Sequence, residues 1–348
     1  MNAKGDQDYS LTSRLLHRLA LGNRMIAEMA FDFELASCKP QTDRIKELPH
    51  VLVTGLARAG TTILMREIHR TGEFRSLTYR DMPFVLAPNL WARFSRGSRQ
   101  SAQARERAHG DGLLVGYDSP EALEEVFWRI FAGRQYIRPD RLEPMRADPD
   151  LVEQFRQYIG CIVSGREGQR YLSKNNNNVL RLGSLGKAFP QARVLIPFRD
   201  PLAQSRSLHR QHLRFIEAHR GDPFSRQYMT WLVHHEFGAD HRPFRFPGQP
   251  ELPGDHGQPD YWLQNWINTY RHLDANAPAN CLWVSYEQLC ARPEAVLARI
   301  GQAATIRIDP AGASEIRPAA PAPDPDGISP ELLESARSLY QNLLDRAI

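Results

Sequence analysis

The chain has 348 residues, of which 42% are apolar and 24% charged, so a sizeable core can form and an intrinsically disordered chain is excluded. The first ten residues are polar and no apolar run approaches the roughly 20 residues of a membrane span, so we expect a cytoplasmic protein without membrane association. The net charge of +4 favours an anionic ligand, whereas the dispersed basic residues disfavour nucleic acid. Four cysteines without disulfide-framework or zinc spacing predict a reduced, intracellular chain: Cys38, Cys161, Cys281 and Cys290.

The first predicted element is a helix. Apolar residues between Leu11 and Phe33 recur at helical spacing and predict one helix over about residues 12–33. Amphipathic helices usually face a core, so we expect residues 1–48 to form a helical segment packed on the main domain. A helix lying on a membrane surface is the alternative.

A glycine loop follows a short apolar run. Residues 51–54 predict a buried parallel strand, and residues 63–70 have helical periodicity. Between them, Gly55 and Gly60 have the G-x-x-x-x-G spacing of a P-loop, which presents backbone N–H groups and a helix N-terminus to an anion. Thr61 stands where the ATPase form carries lysine. The loop therefore favours one phosphate with a group attached over a magnesium-bound triphosphate.

Three later strands repeat this order, each ending at polar residues. They cover residues 170–173 before Lys174, 192–198 before Arg199, and 281–285 before Tyr286. Helices are predicted over about 179–189 and from Asp200, an N-cap, and Pro201, a first-turn residue. Alternating strands and helices predict an α/β protein, a three-layer P-loop-like fold with a central parallel sheet flanked by helices.

Three of these segments resemble the sulfotransferase family. The run from Ala57 to Thr62, Ala-Arg-Ala-Gly-Thr-Thr, is similar to the family's 5′-phosphosulfate loop, with alanine where proline is common. Arg199 opens an Arg-Asp-Pro run after a strand, and Ser207 follows it eight residues later. This segment is similar to the family's 3′-phosphate segment. The segment 284–289, followed by Arg292 and Pro293, also resembles a family motif. The likeness runs from about residue 51 to 299.

The resemblance implies a sulfotransferase that uses 3′-phosphoadenosine 5′-phosphosulfate (PAPS), releases adenosine 3′,5′-bisphosphate (PAP) and needs no metal. The sulfuryl group would pass by in-line displacement to a hydroxyl or amine of an acceptor, which is a carbohydrate, lipid, tyrosine or small alcohol. A P-loop kinase or NTPase and a non-catalytic nucleotide-binding protein are the alternatives. The implied cofactor-binding residues are Arg58, Ala59, Gly60, Thr61, Thr62, Arg199, Ser207 and Tyr286.

Catalysis needs cations at the transferred group and a general base at the acceptor. Arg58 and Lys174 are the predicted cations. Cytosolic members of the family carry a histidine base two residues after the lysine, where this chain has Asn176. Asp81 is the predicted base, and a helix cap or a salt bridge to Arg80 is its alternative role. Other candidates for the base are Glu121, Glu124 and, last, His109.

An insertion over about residues 216–265 completes a main domain predicted to span residues 49–317. We expect it to form a lid over the acceptor, without regular structure between residues 221 and 257. His234, His235, Glu236 and His241 lie there without a zinc-binding spacing. Residues 318–348 predict a proline-rich linker and a C-terminal helix. The insertion's aromatic residues line an acceptor pocket or form core: Trp231, Phe237, Phe244, Phe246, Tyr261, Trp262 and Trp266.

Overall fold

A computed structural model describes residues 11–95, 105–106, 114–115, 122–164, 169–309 and 316–348. The described strands are β1 Val51–Val53, β2 Phe74–Arg75, β3 Arg105–Glu106, β4 Leu114–Val115, β5 Arg170–Lys174, β6 Arg193–Phe198 and β7 Cys281–Ser285. Five of them form a parallel sheet in the order β2-β5-β1-β6-β7, while β3 and β4 pair antiparallel. The predicted α/β fold with a central parallel sheet is confirmed.

Helices cover both faces of this sheet. They are α1 Leu11–Gly22, α2 Arg24–Cys38, α3 Thr42–Glu47, α4 Thr61–His69, α5 Pro88–Phe94, α6 Glu125–Tyr136, α7 Pro149–Val163, α8 Leu182–Ala188, α9 Pro201–Gly221, α10 Pro223–Trp231, α11 Pro259–Asn276, α12 Tyr286–Ala291, α13 Pro293–Ala304 and α14 Pro330–Asp345. Short 3₁₀ helices occupy Tyr79–Asp81 and Asn176–Leu180. Among the described residues, no helix is both long enough and apolar enough to cross a bilayer.

The core lies in two layers, one on each face of the sheet. Successive side chains of a strand point to opposite faces. Accordingly, Leu52 of β1 joins the apolar cluster that contains Phe155 of α7, while Val51 and Val53 join the cluster that contains Leu64 of α4. Residues of β1 are buried on both faces, as a central parallel strand requires.

The N-terminal segment consists of two helices, so the prediction of one continuous helix over residues 12–33 is wrong. The break falls at Asn23, whose side chain accepts a hydrogen bond from Ile26 N at 3.2 Å and caps α2. Capping by asparagine satisfies an N–H group that a continuous helix would have bonded internally. Phe31 of α2 packs its fully buried ring on Phe127 and Tyr158, at centroid distances of 5.9 and 6.0 Å.

A helix also forms inside the insertion, where no regular element was expected. Asp222 accepts hydrogen bonds from Phe224 N and Ser225 N, and Pro223 occupies the first turn of α10. These are ordinary start signals for a helix. The surrounding histidines and aromatic residues obscured them in the sequence.

The C-terminal residues follow the expected pattern. Residues 318–325 have no regular structure, and α14 then packs on α9, α11 and β7. Tyr340 of α14 donates a hydrogen bond to Glu287 Oε2 at 2.9 Å. The last helix is thereby fastened to the turn that follows β7.

We expect Phe31→Ala to lower the free energy of unfolding by about 3–5 kcal/mol, because it removes a buried ring from the contact between α2 and the main core. Phe33→Ala in the same helix is the matched control. The Phe33 side chain is 62% exposed, so its loss should change stability by no more than about 0.5 kcal/mol. Urea denaturation measures both changes, and equal effects would contradict the packing described for α2.

Candidate functional site

Four of the predicted site residues lie at one edge of the sheet. The carboxyl ends of parallel strands meet at the same edge, where ligands of open α/β sheets bind. Gly60 follows β1, Lys174 ends β5, Arg199 follows β6 and Tyr286 follows β7. Lys174 is in register with Val53 of β1 and is 6% exposed. Four chain segments therefore bring polar residues to the same place.

The glycine loop adopts a conformation that needs its glycines. Gly60 has a φ of 87°, and an added Cβ would lie 2.7 Å from Cδ2 of Tyr286. Arg58 also lies in the left-handed region, with a φ of 70°. Such conformations in residues other than glycine are uncommon and concentrate at functional sites. The loop runs into α4, whose N-terminal amides favour an anion.

The second anion-binding segment lies directly against this loop. Asp200 caps α9 by accepting a hydrogen bond from Ala203 N at 2.8 Å, as predicted from the sequence. Ser207 then lies on α9 facing the loop, and Arg58 Nε donates to Ser207 Oγ at 3.1 Å. Residues 149 positions apart in the sequence are thus in direct contact. These two segments, which both resemble family motifs, form one site.

Tyr286 connects the loop to Arg199. One face of its ring packs against Gly60, and the Arg199 guanidinium carbon lies 4.8 Å from the ring centroid. Burial raises the pKa of Tyr286 to about 12, so its phenol stays neutral. Arg199 Nε is buried and finds no hydrogen-bond partner among the described residues. An unpaired guanidinium N–H beside an aromatic ring fits an anionic ligand.

Sequence reasoning missed Gln204, which is fully buried between the two segments. Its Nε2 donates to Leu56 O at 3.2 Å and Ala57 O at 2.9 Å in the glycine loop. Its Oε1 accepts from Arg199 N at 3.2 Å and from Trp266 Nε1 at 3.0 Å. Its position inside the Arg199-to-Ser207 run was the available signal. Gln204 is a positioning residue for both anion-binding segments.

Glu236 is the second residue that was missed as a site residue. Asn176 Nδ2 donates to Glu236 Oε1 at 2.9 Å, and His234 Nδ1 lies 3.6 Å from Oε2. Burial opposes ionisation of this carboxyl. The charges of His234 and Lys174 and the hydrogen bond from Asn176 outweigh it and hold the pKa of Glu236 well below its usual range. A carboxylate therefore lies beside the position where cytosolic relatives carry histidine.

Glu124, an alternative base, is committed to a buried hydrogen-bond network. It is 2% exposed and accepts hydrogen bonds from Tyr171 OH at 2.5 Å, Asn178 Nδ2 at 2.8 Å and Asn175 Nδ2 at 3.2 Å. Both oxygens of this buried carboxylate already accept hydrogen bonds from the core, so neither is directed at an acceptor. The other two alternatives, Glu121 and His109, lie outside the described residues.

Glu125 extends the same network below the Lys174 segment. It pairs with the fully buried Arg181 at 2.8 Å and accepts from Tyr136 OH at 2.5 Å and Asn175 Nδ2 at 2.6 Å. The run of four asparagines after Lys174 is therefore buried structure. It holds the chain that leaves β5 in one conformation.

Asp81 occupies the last position of a 3₁₀ helix. Its Oδ2 accepts hydrogen bonds from Thr78 N at 2.7 Å and Thr78 Oγ1 at 3.2 Å, in a capping box. The carboxylate is 8% exposed. The capping role is confirmed, and the assignment of Asp81 as the general base stays a prediction.

The aromatic residues of the insertion form core. Eight aromatic side chains of the insertion and α11 are at most 7% exposed. They are Trp231, Phe237, Phe244, Phe246, Tyr261, Trp262, Trp266 and Tyr270. The insertion is consequently packed into the main core.

Two histidines of the insertion, His235 and His241, are hydrogen-bonded to other residues of the insertion. His235 Nδ1 bonds to Asp240 O at 2.8 Å, and His241 bonds to His235 O and Tyr261 OH at 2.9 Å each. Burial, reinforced by nearby positive charge, lowers the pKa of His235 to about 4 and that of His241 to about 3. Burial lowers the pKa of His212, which contacts the same group, to about 4.

Comparison with known proteins identifies the family. The sequence profile described as "Sulfotransferase family" matches residues 49–249. The chain belongs to the sulfotransferase family. Sulfotransferase STF9 from Mycobacterium avium superposes with a TM-score of 0.53 at 16% identity, over 99% of this chain and 89% of that one. STF1 from Mycobacterium tuberculosis H37Rv gives 0.49 at 13% identity, over 97% and 88%. A search of curated protein sequences finds no match to this sulfotransferase. At its low identity, the likeness to STF9 supports the fold alone.

We expect the free energy of unfolding to fall as the pH drops from about 6.5 towards 4. The pKa values of His235 and His212 in the folded protein lie below their values in the unfolded chain. The unfolded chain therefore binds more protons between pH 6.5 and 4, and this binding stabilises the unfolded state. Above about 6.5 this effect vanishes because both states are neutral. Urea denaturation at several pH values measures the slope.

His235→Gln is the test variant for this slope, because glutamine keeps a donor for Asp240 O and does not titrate. It should flatten the loss of stability between pH 6.5 and 4. A parent and variant with parallel pH profiles would show that His235 is not held neutral by the fold.

Proposed function

We propose that this sulfotransferase moves a sulfuryl group from PAPS to a hydroxyl or amine of its acceptor. The observation that supports this is the contact between Arg58 Nε and Ser207 Oγ, at 3.1 Å. It joins a loop suited to a 5′-phosphosulfate with a segment suited to a 3′-phosphate. A ligand with anionic groups at both ends of one adenosine matches that arrangement.

The residues present fit such a ligand. Arg58, Ala59, Gly60, Thr61 and Thr62 would hold the 5′ end through the loop amides, hydroxyls and one guanidinium. Arg199 and Ser207 would hold the 3′-phosphate, with the buried Arg199 Nε as an available donor. Tyr286 would contact the adenosine.

When bound, PAPS supplies the sulfuryl group and a phosphate leaving group. Donors aimed at the oxygens that gain negative charge during transfer accelerate such reactions. Arg58 and the amides at the N-terminus of α4 would act on the leaving phosphate, and Lys174 on the transferred group. These protein cations would take the part that a metal ion plays in phosphoryl transfer.

Asp81 is the proposed general base for the acceptor. Glu236 has a different proposed role. Its negative charge would stabilise the nearby ammonium group of Lys174, and its hydrogen bond from Asn176 would hold the chain that follows β5. Neither carboxylate lies on a strand of the sheet. Asp81 lies in the 3₁₀ helix after β2, and Glu236 lies in the insertion.

The loop chemistry disfavours a kinase or NTPase. Thr61 replaces the lysine that contacts the outer phosphates of a nucleoside triphosphate. The acceptor class stays open between carbohydrate, lipid, tyrosine and small alcohol, and a screen with labelled PAPS distinguishes them.

We expect PAP to bind in calorimetry without Mg²⁺. Arg199→Ala should weaken this binding by about 10- to 100-fold, the loss expected for a charged hydrogen-bonded pair. The control is Arg220→Ala at the C-terminal end of α9, because Arg220 is exposed and its surface ion pair with Glu217 contributes little. It should leave the affinity unchanged. Tighter binding of Mg-ATP than of PAP would overturn the proposed donor.

We expect Asp81→Asn to lower kcat by about 10²- to 10⁴-fold, the usual contribution of a general base, with PAP affinity nearly unchanged. Glu236→Gln preserves the shape of the side chain and should lower kcat less. Initial rates with an acceptor found in the screen measure both, alongside thermal melts that check folding. If Glu236→Gln were the inactive variant and Asp81→Asn active, the base would be Glu236.

A further inference from the structure

Two cysteines that are far apart in the sequence lie side by side where α2 meets α7. Cys38 is the last residue of α2, and Cys161 lies near the end of α7. Their sulfur atoms, together with a carboxylate oxygen of Glu34, are all within 4.8 Å of one another. Both thiols are free. The helices that carry them are already packed together through Phe31 and Tyr158.

The surroundings of this thiol pair make its two members unequal. Cys38 is partly exposed and its sulfur receives hydrogen bonds from Asn89 Nδ2 at 3.4 Å and Ser164 Oγ at 3.8 Å. The hydrogen bond with the Cys161 thiol, more than any other contact, lowers the pKa of Cys38, while burial opposes that shift. Cys161 is fully buried, and the same hydrogen bond and burial raise its pKa. Cys38 is thus the more nucleophilic and the more accessible thiol.

Glu34 is not available to complete a metal site with these thiols. Its Oε1 accepts from Asn89 N at 3.0 Å and Asn89 Nδ2 at 2.7 Å, and its Oε2 accepts from Leu90 N at 3.0 Å. The carboxylate therefore satisfies the first amides of α5. Two thiols alone fall short of the four ligands that a structural zinc site uses.

We propose that Cys38 and Cys161 form a reversible disulfide that joins α2 to α7. A small disulfide such as oxidised glutathione is the oxidant. The Cys38 thiolate attacks one of its sulfurs, which gives a mixed disulfide and releases one glutathione thiolate. Cys161, after losing its proton to that thiolate, attacks the Cys38 sulfur and releases the second glutathione. Two protein thiols are oxidised, and one glutathione disulfide is reduced to two thiols.

The geometry favours exchange within the pair. The sulfurs approach to about 2.05 Å in a disulfide, which side-chain rotation of residues on two packed helices supplies without separating the helices. Oxidation removes the hydrogen bond that the Cys38 thiol donates to Glu34 Oε1. Glu34 keeps its hydrogen bonds from three N–H groups. The bond ties the N-terminal helices to the main core, and cross-links between distant residues stabilise the folded state most.

The test is incubation of the reduced full chain with oxidised glutathione. We expect the intact mass to fall by two hydrogen atoms, tryptic mapping to show a Cys38–Cys161 peptide, and Tm to rise by a few degrees, all reversed by dithiothreitol. The Cys281→Ser, Cys290→Ser double variant is the matched control and should behave like the parent. Cys38→Ser should keep its hydrogen bond to Glu34 and lose both the cross-link and the rise in Tm.

Two results would overturn the proposal. One is a stable glutathione adduct on Cys38 in the parent protein, with no cross-linked peptide. The other is a cross-link that involves Cys281 or Cys290. Both are read on the parent protein, so a variant that folds poorly does not decide the outcome.

Discussion

The buried amide of Gln204 holds the glycine loop and the start of α9 in one relative position. It gives hydrogen bonds to two loop carbonyls and receives them from Arg199 N and Trp266 Nε1. A buried polar group that loses its partners costs about 1–3 kcal/mol, so movement of the loop away from β6 is resisted at several atoms at once. The contact between Arg58 and Ser207 depends on this arrangement.

A second polar network holds the residues that follow β5. Glu124 and Glu125 are two adjacent carboxylates in the core, balanced by Arg181 and by tyrosine and asparagine donors. Burying such charges is expensive, and the cost is offset here because both carboxylates accept several hydrogen bonds and Glu125 pairs with Arg181. The result is a single conformation for the residues after Lys174. Rigidity at this point matters because a site that stabilises developing charge must be organised before the reaction begins.

The insertion belongs to the core more than to the surface. Most of its aromatic side chains are buried, burial lowers the pKa of His235 and of His241, and Glu236 contacts Asn176 after β5. The charge beside Lys174 therefore depends on the packing of this segment.

The sequence by itself determined the parallel sheet, the glycine loop, the cap of α9 and the residues that follow each strand. These depend on local signals, such as apolar runs, glycine spacing and an aspartate before proline. Only the tertiary structure decided that Arg58 meets Ser207, that Gln204 joins the two segments, and that Glu236 lies beside Asn176. These contacts link residues up to 149 positions apart, and no local pattern encodes such distances. Asp81 and Glu124 show the same limit, because both were candidates for the base in the sequence, and only the structure shows that one takes a capping role and the other a place in a buried network.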